Sequence, residues 1–248
     1  MKICIDPGHG GYDSGAVGYG LKEKDLTLKI SLYLRDYLKE YGCEVIMTRD
    51  SDNTAWNKAN DLQTRCDIAN NAKVDYFISV HINAGGGTGY ETWVGDNASQ
   101  KSIELAQKMH SYIAKFYKDN GFIDRGLKSG KLWVLRQTKM PAILVENLFI
   151  DNAKDTKFLS DDNNLRNIAK AIADAFANIF NLNPKGGNSM ATSQVPFKDI
   201  DNHWAKEAII RVYQKGLLAD ADTFRPNDPI TRAEVIALLD RVLKYLGR

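Results

Sequence analysis

Apolar positions along the chain follow two periods that take turns. Ile3 to Ile5 form a short apolar run that reads as a first strand and opens into the glycine-rich stretch IDPGHGGYDSGA, residues 5–16. Leu26, Ile30, Leu34 and Leu38, flanked by Tyr33, Tyr37 and Tyr41, recur at helical spacing with lysines and acids between them. That period predicts a helix from near Lys22 to Gly42. CEVIMT (43–48) reads as a strand that stops where residues 49–55 turn polar, with Trp56 the one large apolar side chain before the next element. A second helix is expected from about Asn57 to Asn71, carrying Leu62, Cys66, Ile68 and Ala69 towards the core. VDYFISVH (74–81) is a nearly continuous apolar run, as in a strand covered on both faces, with His81 at its C-terminal end.

GYETWVG (89–95) reads as a further strand, and residues 99–118 as a long helix using Ile103, Ala106, Met109, Ile113 and Phe116. LWVLR (132–136) is expected to be a short strand. AILVEN (142–147) is another buried strand, started by Pro141 and carrying Glu146 at its end. A helix from about Leu165 to Phe180 uses Leu165, Ile168, Ile172, Phe176 and Ile179. Strands alternating with helices predict an α/β layered domain with a largely parallel or mixed sheet.

NLNPKGGNSMATSQVP (181–196) has no apolar period and is rich in Asn, Ser, Gly and Pro, the composition of a flexible linker. The expected division is a domain over 1–182, a linker over 183–196 and a small helical unit over 197–248. In that unit Trp204, Ala208, Ile209, Val212 and Tyr213 make one amphipathic helix ended by Gly216, and Val235, Ile236, Leu239, Val242 and Leu243 make another. The second is announced by Thr231-Arg232-Ala233-Glu234, the spacing of a capping box. A unit of about fifty residues is close to the size at which a lone core becomes marginal, so it is expected to lean on a partner surface.

Composition narrows the classes. The 248 residues are 44% apolar and 26% charged, as in an ordinary soluble globular protein. Residues 1–183 hold 23 basic and 23 acidic side chains and the rest 10 and 8, so the net +2 marks no strongly basic face and nucleic acid is not an expected partner. No apolar run has the length of a membrane span. Cys4, Cys43 and Cys66 are widely separated and read as buried, reduced thiols. Met1 and Lys2 lead straight into the first strand with no apolar signal region, so the chain is expected to be made in the cytoplasm unless an export segment is missing.

Chemistry is expected beyond the carboxyl ends of the strands, where loops present side chains without breaking the sheet. His9, His81 and Glu146 fall there, and Glu23 lies on the same rim at the start of the first helix. Two imidazoles, a carboxylate and an open position would hold a catalytic zinc, and a further carboxylate would serve as base. Each residue also has a plainer role: His9 a cap or turn residue, His81 a hydrogen-bonded strand end, Glu23 a first-turn acid favoured by the helix dipole. Glu146 closes a buried run, where an unpaired charge is costly, so it needs a partner or a job.

IDPGHGGYDSGA, the EKDLTL start of the first helix, VIMTRDSD, LQTRCDIANNAKVDYFISVHINA and GLKSGKLWVLRQTKMPAILVENLFIDN, in this order and spacing, resemble the zinc-dependent N-acetylmuramoyl-L-alanine amidases of the amidase-3 type. The resemblance covers roughly residues 1–180. It implies a twisted mixed sheet between helices, zinc held by His9, Glu23 and His81, and Glu146 as the catalytic carboxylate. The implied reaction cuts the amide between N-acetylmuramic acid and L-alanine in peptidoglycan, with a zinc-activated water whose proton Glu146 shuttles. Asn147-Leu148 departs from the family, which more often has a small residue before Phe, and this bears on the cleft floor. Gly8, Gly10 and Gly11 are expected to let the backbone approach metal and substrate. Asp13 and Asn83 are candidate outer hydrogen-bond partners or substrate contacts, Asp13 equally a turn-former. Arg49 and Arg65 are expected to tie loops to the scaffold, and Lys128, Lys131 and Arg136 to form a solvated face, with lining of the cleft as the alternative. The rival functions are a zinc peptidase acting within the stem peptide and a non-catalytic wall-binding protein.

Residues 197–243, through FKDI, HWA, TFRPND and ITRAE, resemble one S-layer homology repeat. Such repeats imply attachment to a secondary polymer of a Gram-positive wall, commonly three acting together. Trp204 and Arg232 are the candidate contacts, a stacking surface for sugars and a fork for an acidic group; the alternatives are a core tryptophan and an exposed first-turn arginine. A hydrolase joined to such a unit reads as a phage or prophage endolysin, or as an autolysin without its export segment. A homodimer sharing the tail's apolar face is the alternative use of the tail.

Overall fold

The computed structural model describes residues 1–54, 56–184, 195–200, 203, 205–214, 216–219 and 221–245. They fall in two units, Met1–Gly187 and Asn188–Arg248. The division lies inside the stretch read as a linker, of which 185–194 are outside the described residues.

In the first unit the order is β1 (Lys2–Pro7), a two-residue ribbon β2 (Val17–Gly18) and β3 (Leu21–Lys22), α1 (Glu23–Glu40), β4 (Glu44–Met47), α2 (Asp61–Ala72), β5 (Tyr76–Asn83), β6 (Tyr90–Gly95), α3 (Gln100–Asp119), β7 (Asp124–Gly130), α4 (Trp133–Gln137), β8 (Ala142–Phe149), α5 (Ala153–Leu159) and α6 (Asp162–Phe180). Six strands form one sheet in the order β4-β1-β5-β8-β6-β7, parallel except where β6 runs antiparallel to β8. This is the mixed α/β sheet expected from the alternating periods.

The side-chain period of two divides each strand between the faces. Ile3, Ile5, Ile78, Val80, Ile143 and Val145 pack against the stripes of α1, α3 and α6, among them Leu34, Met109, Ile113, Ile172 and Phe176. Cys4, Phe77 and Leu144 point the other way and meet the thinner layer of Cys66 and Ala69 from α2 and Val134 and Leu135 from α4. Because β4 and β5 lie on either side of β1, the chain leaves the sheet in opposite directions there, and a crevice opens beyond the strand ends.

Two expectations are corrected. LWVLR is not a strand: residues 133–137 form α4, with Arg136 N–H bonded to Leu132 O at 3.0 Å, and the strand at that edge is β7. A four-residue apolar run fits a buried helical turn as well as a strand, while β7, DRGLKSG, carries the charges of an edge strand and no apolar run. Leu62 is 50% exposed. The helix begins at Asp61, and it is Asp61, Arg65, Cys66 and Ala69 that face inward. The three cysteines are buried and none is in a disulfide, as read, and burial pushes the Cys66 thiol up to about 12, far from a reactive thiolate.

A buried ion pair fastens the crevice. Arg65, 2% exposed, meets the Asp6 carboxylate, 1% exposed, at 2.8 Å. Thr48 and Ser79 hydroxyls also donate to Asp6 at 2.6 and 2.7 Å. Burial alone would raise the Asp6 carboxyl, but Arg65 and the hydroxyls outweigh it and hold the group below its ordinary value. Arg65→Ala leaves this charge unpaired and is expected to cost about 3–5 kcal/mol in chemical denaturation. Since Asp6 is depressed in the folded state, its share of stability is present above the ordinary carboxylate value and lost as pH falls through the depressed one; the variant should lack that acid limb.

In the second unit α7 (Lys206–Gln214) buries Ile209 against Phe197 and Ile200, with Tyr213, Leu218 and Phe224 around them. α8 (Arg232–Tyr245) starts with the expected capping box, Thr231 N–H donating to Glu234 Oε2 at 2.8 Å and Glu234 N–H to Thr231 Oγ1 at 3.2 Å. No residue of α8 is buried, and Ile236 is 65% exposed. Arg232 is exposed; Trp204 lies outside the described residues. No described helix is long and apolar enough to cross a membrane.

Candidate metal centre and active site

The loop after β1 is held by its backbone. Arg65 donates to the carbonyls of Pro7 and His9, both at 2.7 Å, and Arg49 to Gly8 at 2.8 Å and Lys24 at 2.9 Å. Both arginines therefore tie the loop to the scaffold, as expected. His9 takes a left-handed conformation, φ 60°, which a side chain adopts only where its surroundings impose it. A Cβ at Gly8 would fall onto the His81 ring. One at Gly15, φ 63°, would sit 2.7 Å from both Glu23 Oε2 and His9 Cδ2. The room made by Gly10 and Gly11 is filled by Arg49 and Thr54, so these two glycines accommodate neighbouring side chains, a correction to their expected role beside metal and substrate.

His9 turns Nε2 to Glu23 Oε1 at 3.0 Å, and His81 turns Nδ1 to the same oxygen at 3.0 Å. The two rings lie 4.9 Å apart, edge to face. One ligand atom from each of His9, Glu23 and His81 lies within 4.8 Å of the others. Glu23, the first residue of α1, is fixed by the N–H groups of Ile82 on Oε1 and Ala16 on Oε2, at 3.0 and 2.9 Å. Burial would raise its carboxyl, but the imidazoles outweigh that and hold it well below the carboxylate range. Burial would lower His9, yet Glu23 and Asp13 raise it to about 9.

Asp13 Oδ2 lies 2.7 Å from His9 Nδ1. With Nδ1 donating to Asp13 and Nε2 to Glu23 the ring is the imidazolium that its raised pKa implies, and a cation taking the place of the Nε2 proton would leave the Nδ1–Asp13 bond in place. Asn83 does not join this group: its Nδ2 donates to Glu91 Oε1 at 3.0 Å and its Oδ1 accepts from Ala84 N–H.

Glu146 on β8 stands in register with His81 on β5 and with Glu91 on β6. Its Oε2 is buried and has no hydrogen-bond partner among the described residues. Burial pushes the carboxyl up to about 7. Beside the two histidines a cavity of about 190 Å³ opens, with the half-exposed Leu62 and Trp133 on its wall.

Glu91 is a site-row residue that sequence reasoning did not single out. It is 3% exposed and takes four donors, Asn83, Trp93, Arg125 and Lys128. Its signal was a lone charge inside the strand YETWVG. Lys128 consequently leaves the solvated face expected for it, whereas Arg136 pairs with Asp96 at 2.9 Å and Lys131 is exposed. Asn147 points to the opposite face from Glu146, where Tyr117 OH donates to it at 2.8 Å and it donates to His81 O at 2.9 Å. The departure at 147–148 thus shapes the back of the sheet, not the cleft floor.

A carboxylate without a partner next to a convergent imidazole–carboxylate group, on the rim of a layered α/β sheet, is the layout of a hydrolase. Residues 3–178 match the N-acetylmuramoyl-L-alanine amidase family Amidase_3, and residues 196–236 match the S-layer homology domain. The chain is 42% identical over 184 residues to the N-acetylmuramoyl-L-alanine amidase CwlM of Bacillus licheniformis, covering 73% of this chain and 70% of that one. It is 44% identical over 191 residues to an endolysin of Bacillus phage SPP1, covering 75% and 69%. Among solved structures it is similar to the catalytic domain of CwlV from Bacillus (Paenibacillus) polymyxa, with 34% identity, 74% and 99% coverage and a TM-score of 0.66. An amidase from Clostridium difficile 630 has 30% identity, 75% and 98% coverage and a TM-score of 0.67. The chain belongs to the N-acetylmuramoyl-L-alanine amidase family. Its activity is hydrolysis of the peptidoglycan amide between N-acetylmuramic acid and L-alanine, and the peptidase and non-catalytic alternatives give way to it.

Proposed function

We propose that His9, Glu23 and His81 hold one zinc ion and that Glu146 is the general base and acid of the hydrolysis. The observation that carries this is the convergence of His9, Glu23 and His81, each with a ligand atom within 4.8 Å of the others, and with His9 Nε2 and His81 Nδ1 each 3.0 Å from Glu23 Oε1. Two imidazole nitrogens and one carboxylate oxygen are a donor set that suits zinc and leaves a position open. Zinc there supplies Lewis-acid polarisation of the amide carbonyl and activation of water. Asp13 holds His9 in the tautomer that presents Nε2. Glu146 takes the proton of the attacking water and returns it to the departing L-alanine amine, a role its buried, unpartnered Oε2 leaves it free to play. The test is digestion of purified peptidoglycan by metal-loaded, metal-stripped and zinc-restored protein. Release of N-terminal alanine without new reducing sugar ends should vanish on stripping and return with zinc; undiminished release by fully stripped protein refutes the metal role.

The second unit is the wall anchor in this reading, on the strength of its S-layer homology match. A tether turns wall encounter by the catalytic unit into an effectively intramolecular event once the tail is attached. Arg232, exposed in the first turn of α8, and Trp204 are its candidate contacts with an acidic saccharide polymer. Truncation after residue 183 should leave cleavage of soluble muropeptides intact while weakening sedimentation with whole walls. Equal sedimentation of the truncated protein would point instead to self-association through the exposed apolar side of α8.

A further inference from the structure

We infer that Arg125 and Lys128, held in place by Glu91, bind a carboxylate of the stem peptide on the leaving-group side of the scissile amide. The inference rests on the amidase reading of the site and adds to it a determinant of substrate choice.

Strand register lays His81 on β5, Glu146 on β8 and Glu91 on β6 in one row; on β7, Arg125 falls at the register shift opposite Glu91, and Lys128, in register with Trp93 two residues further along, reaches back to the same carboxylate. Glu91 Oε2 accepts from Arg125 Nε at 2.6 Å and from Lys128 Nζ at 2.5 Å. The same carboxylate takes Trp93 Nε1–H and Asn83 Nδ2–H on its other oxygen, so all its acceptor positions are occupied and its own position is fixed. Two cations share this one anion, and neither pairs with any other carboxylate among the described residues. One positive charge is left over.

Both cations keep donors to spare. Neither terminal nitrogen of Arg125 donates a hydrogen bond among the described residues, and its guanidinium lies 4.8 Å over the Phe149 ring. Lys128 Nζ lies 5.4 Å from the Trp93 ring centre. About a third of each side chain remains exposed. A planar fork and an ammonium with open N–H groups, backed by aromatic faces, form a receptor for an anion, and a carboxylate is the anion the substrate offers.

The reaction's own chemistry decides which side of the bond that carboxylate is on. The lactyl carboxyl of the muramic acid is consumed in the scissile amide, so the sugar side carries no free acid, whereas the peptide side does. From His81 to Glu91 is two strand spacings, roughly 10 Å. An extended residue spans about 3.5 Å, which puts the receptor within two to three residues of the cleaved bond. With the amide nitrogen beside Glu146, the stem would run over Glu91 towards β7.

The test uses soluble muropeptides that differ only in whether an acidic stem residue is free or amidated, each acidic position in turn, with the full chain and its Arg125→Gln, Lys128→Gln and double variants. The wild type should prefer one free acid by about tenfold or more in kcat/KM, mainly through KM. In the double variant that ratio should fall close to one, read as the quotient of the two kcat/KM values within each variant so that any general loss of turnover cancels. Lys128→Gln leaves Arg125 on Glu91, so it keeps the site assembled and should lower the ratio partway even if the double variant folds poorly. A wild type indifferent to amidation at every position, or a ratio unchanged in the folded Lys128→Gln and double variants, overturns the inference. If no substrate releases N-terminal alanine, it is the amidase reading that fails.

Discussion

Glu146→Gln is expected to keep its fold and its zinc and to lose turnover by about 10²- to 10⁴-fold, the usual worth of a positioned general acid–base. The amide has the shape of the carboxyl and occupies the same place on β8, but it can neither take a proton from water nor return one to the leaving amine. Structure should not suffer, because Glu146 Oε2 makes no hydrogen bond that the substitution would break. Stability offers a second readout in the metal-free protein. Burial raises the Glu146 carboxyl from 4.5 to about 7, so the folded state holds a proton that the unfolded state has released. Wild-type stability should therefore fall as pH rises through that window, and the Gln variant should lack this fall. Turnover on a soluble muropeptide, with metal content and circular dichroism on the same samples, decides the matter. Near-normal hydrolysis by a folded, zinc-loaded Gln variant would remove Glu146 from the mechanism.

The candidate site was legible because its residues sit where local pattern and fold topology coincide. His9 follows β1, His81 and Glu146 close apolar runs, and Glu23 opens α1, so placing the strands was enough to gather them on one rim. The face-to-face alternation along β8 turns Asn147 to the back of the sheet, against the expectation that it bears on the cleft floor. What escaped depended on tertiary context. Residues 133–137 bury Val134 and Leu135 from a helical turn, which a short apolar run does not distinguish from a strand. β7 escaped because an edge strand needs no apolar side chains of its own, and with it went the partners of Glu91. Leu62 was assigned inward by its apolar character alone, whereas the inward side of α2 is set by Asp61 and Arg65 closing on Asp6 and the His9 loop. Charged pairs that organise a site from within the core run against the hydrophobic period that located everything else.

Removing both imidazoles tests the metal centre most severely. In His9→Ala/His81→Ala the only remaining member is Glu23, whose carboxylate is already engaged by the backbone N–H groups of Ile82 and Ala16. One oxygen donor without nitrogen or sulfur partners does not retain zinc, so metal content should fall from about one ion per chain to background, and hydrolysis with it. The scaffold should survive. The loop that carries His9 is fastened through its carbonyls by Arg65 and Arg49, bonds the substitutions do not touch, and Gly8 stays compatible with a smaller neighbour at position 81. Far-ultraviolet circular dichroism of the double variant should therefore match that of chelated wild type, with Asp13, freed from His9, as the main polar group to find new solvent contacts. Each single variant should bind zinc weakly and regain part of its activity at high zinc concentration, since two of three ligands persist. Full zinc occupancy in the purified double variant would mean that the ion is held elsewhere, and the assignment of His9, Glu23 and His81 as its ligands would be wrong.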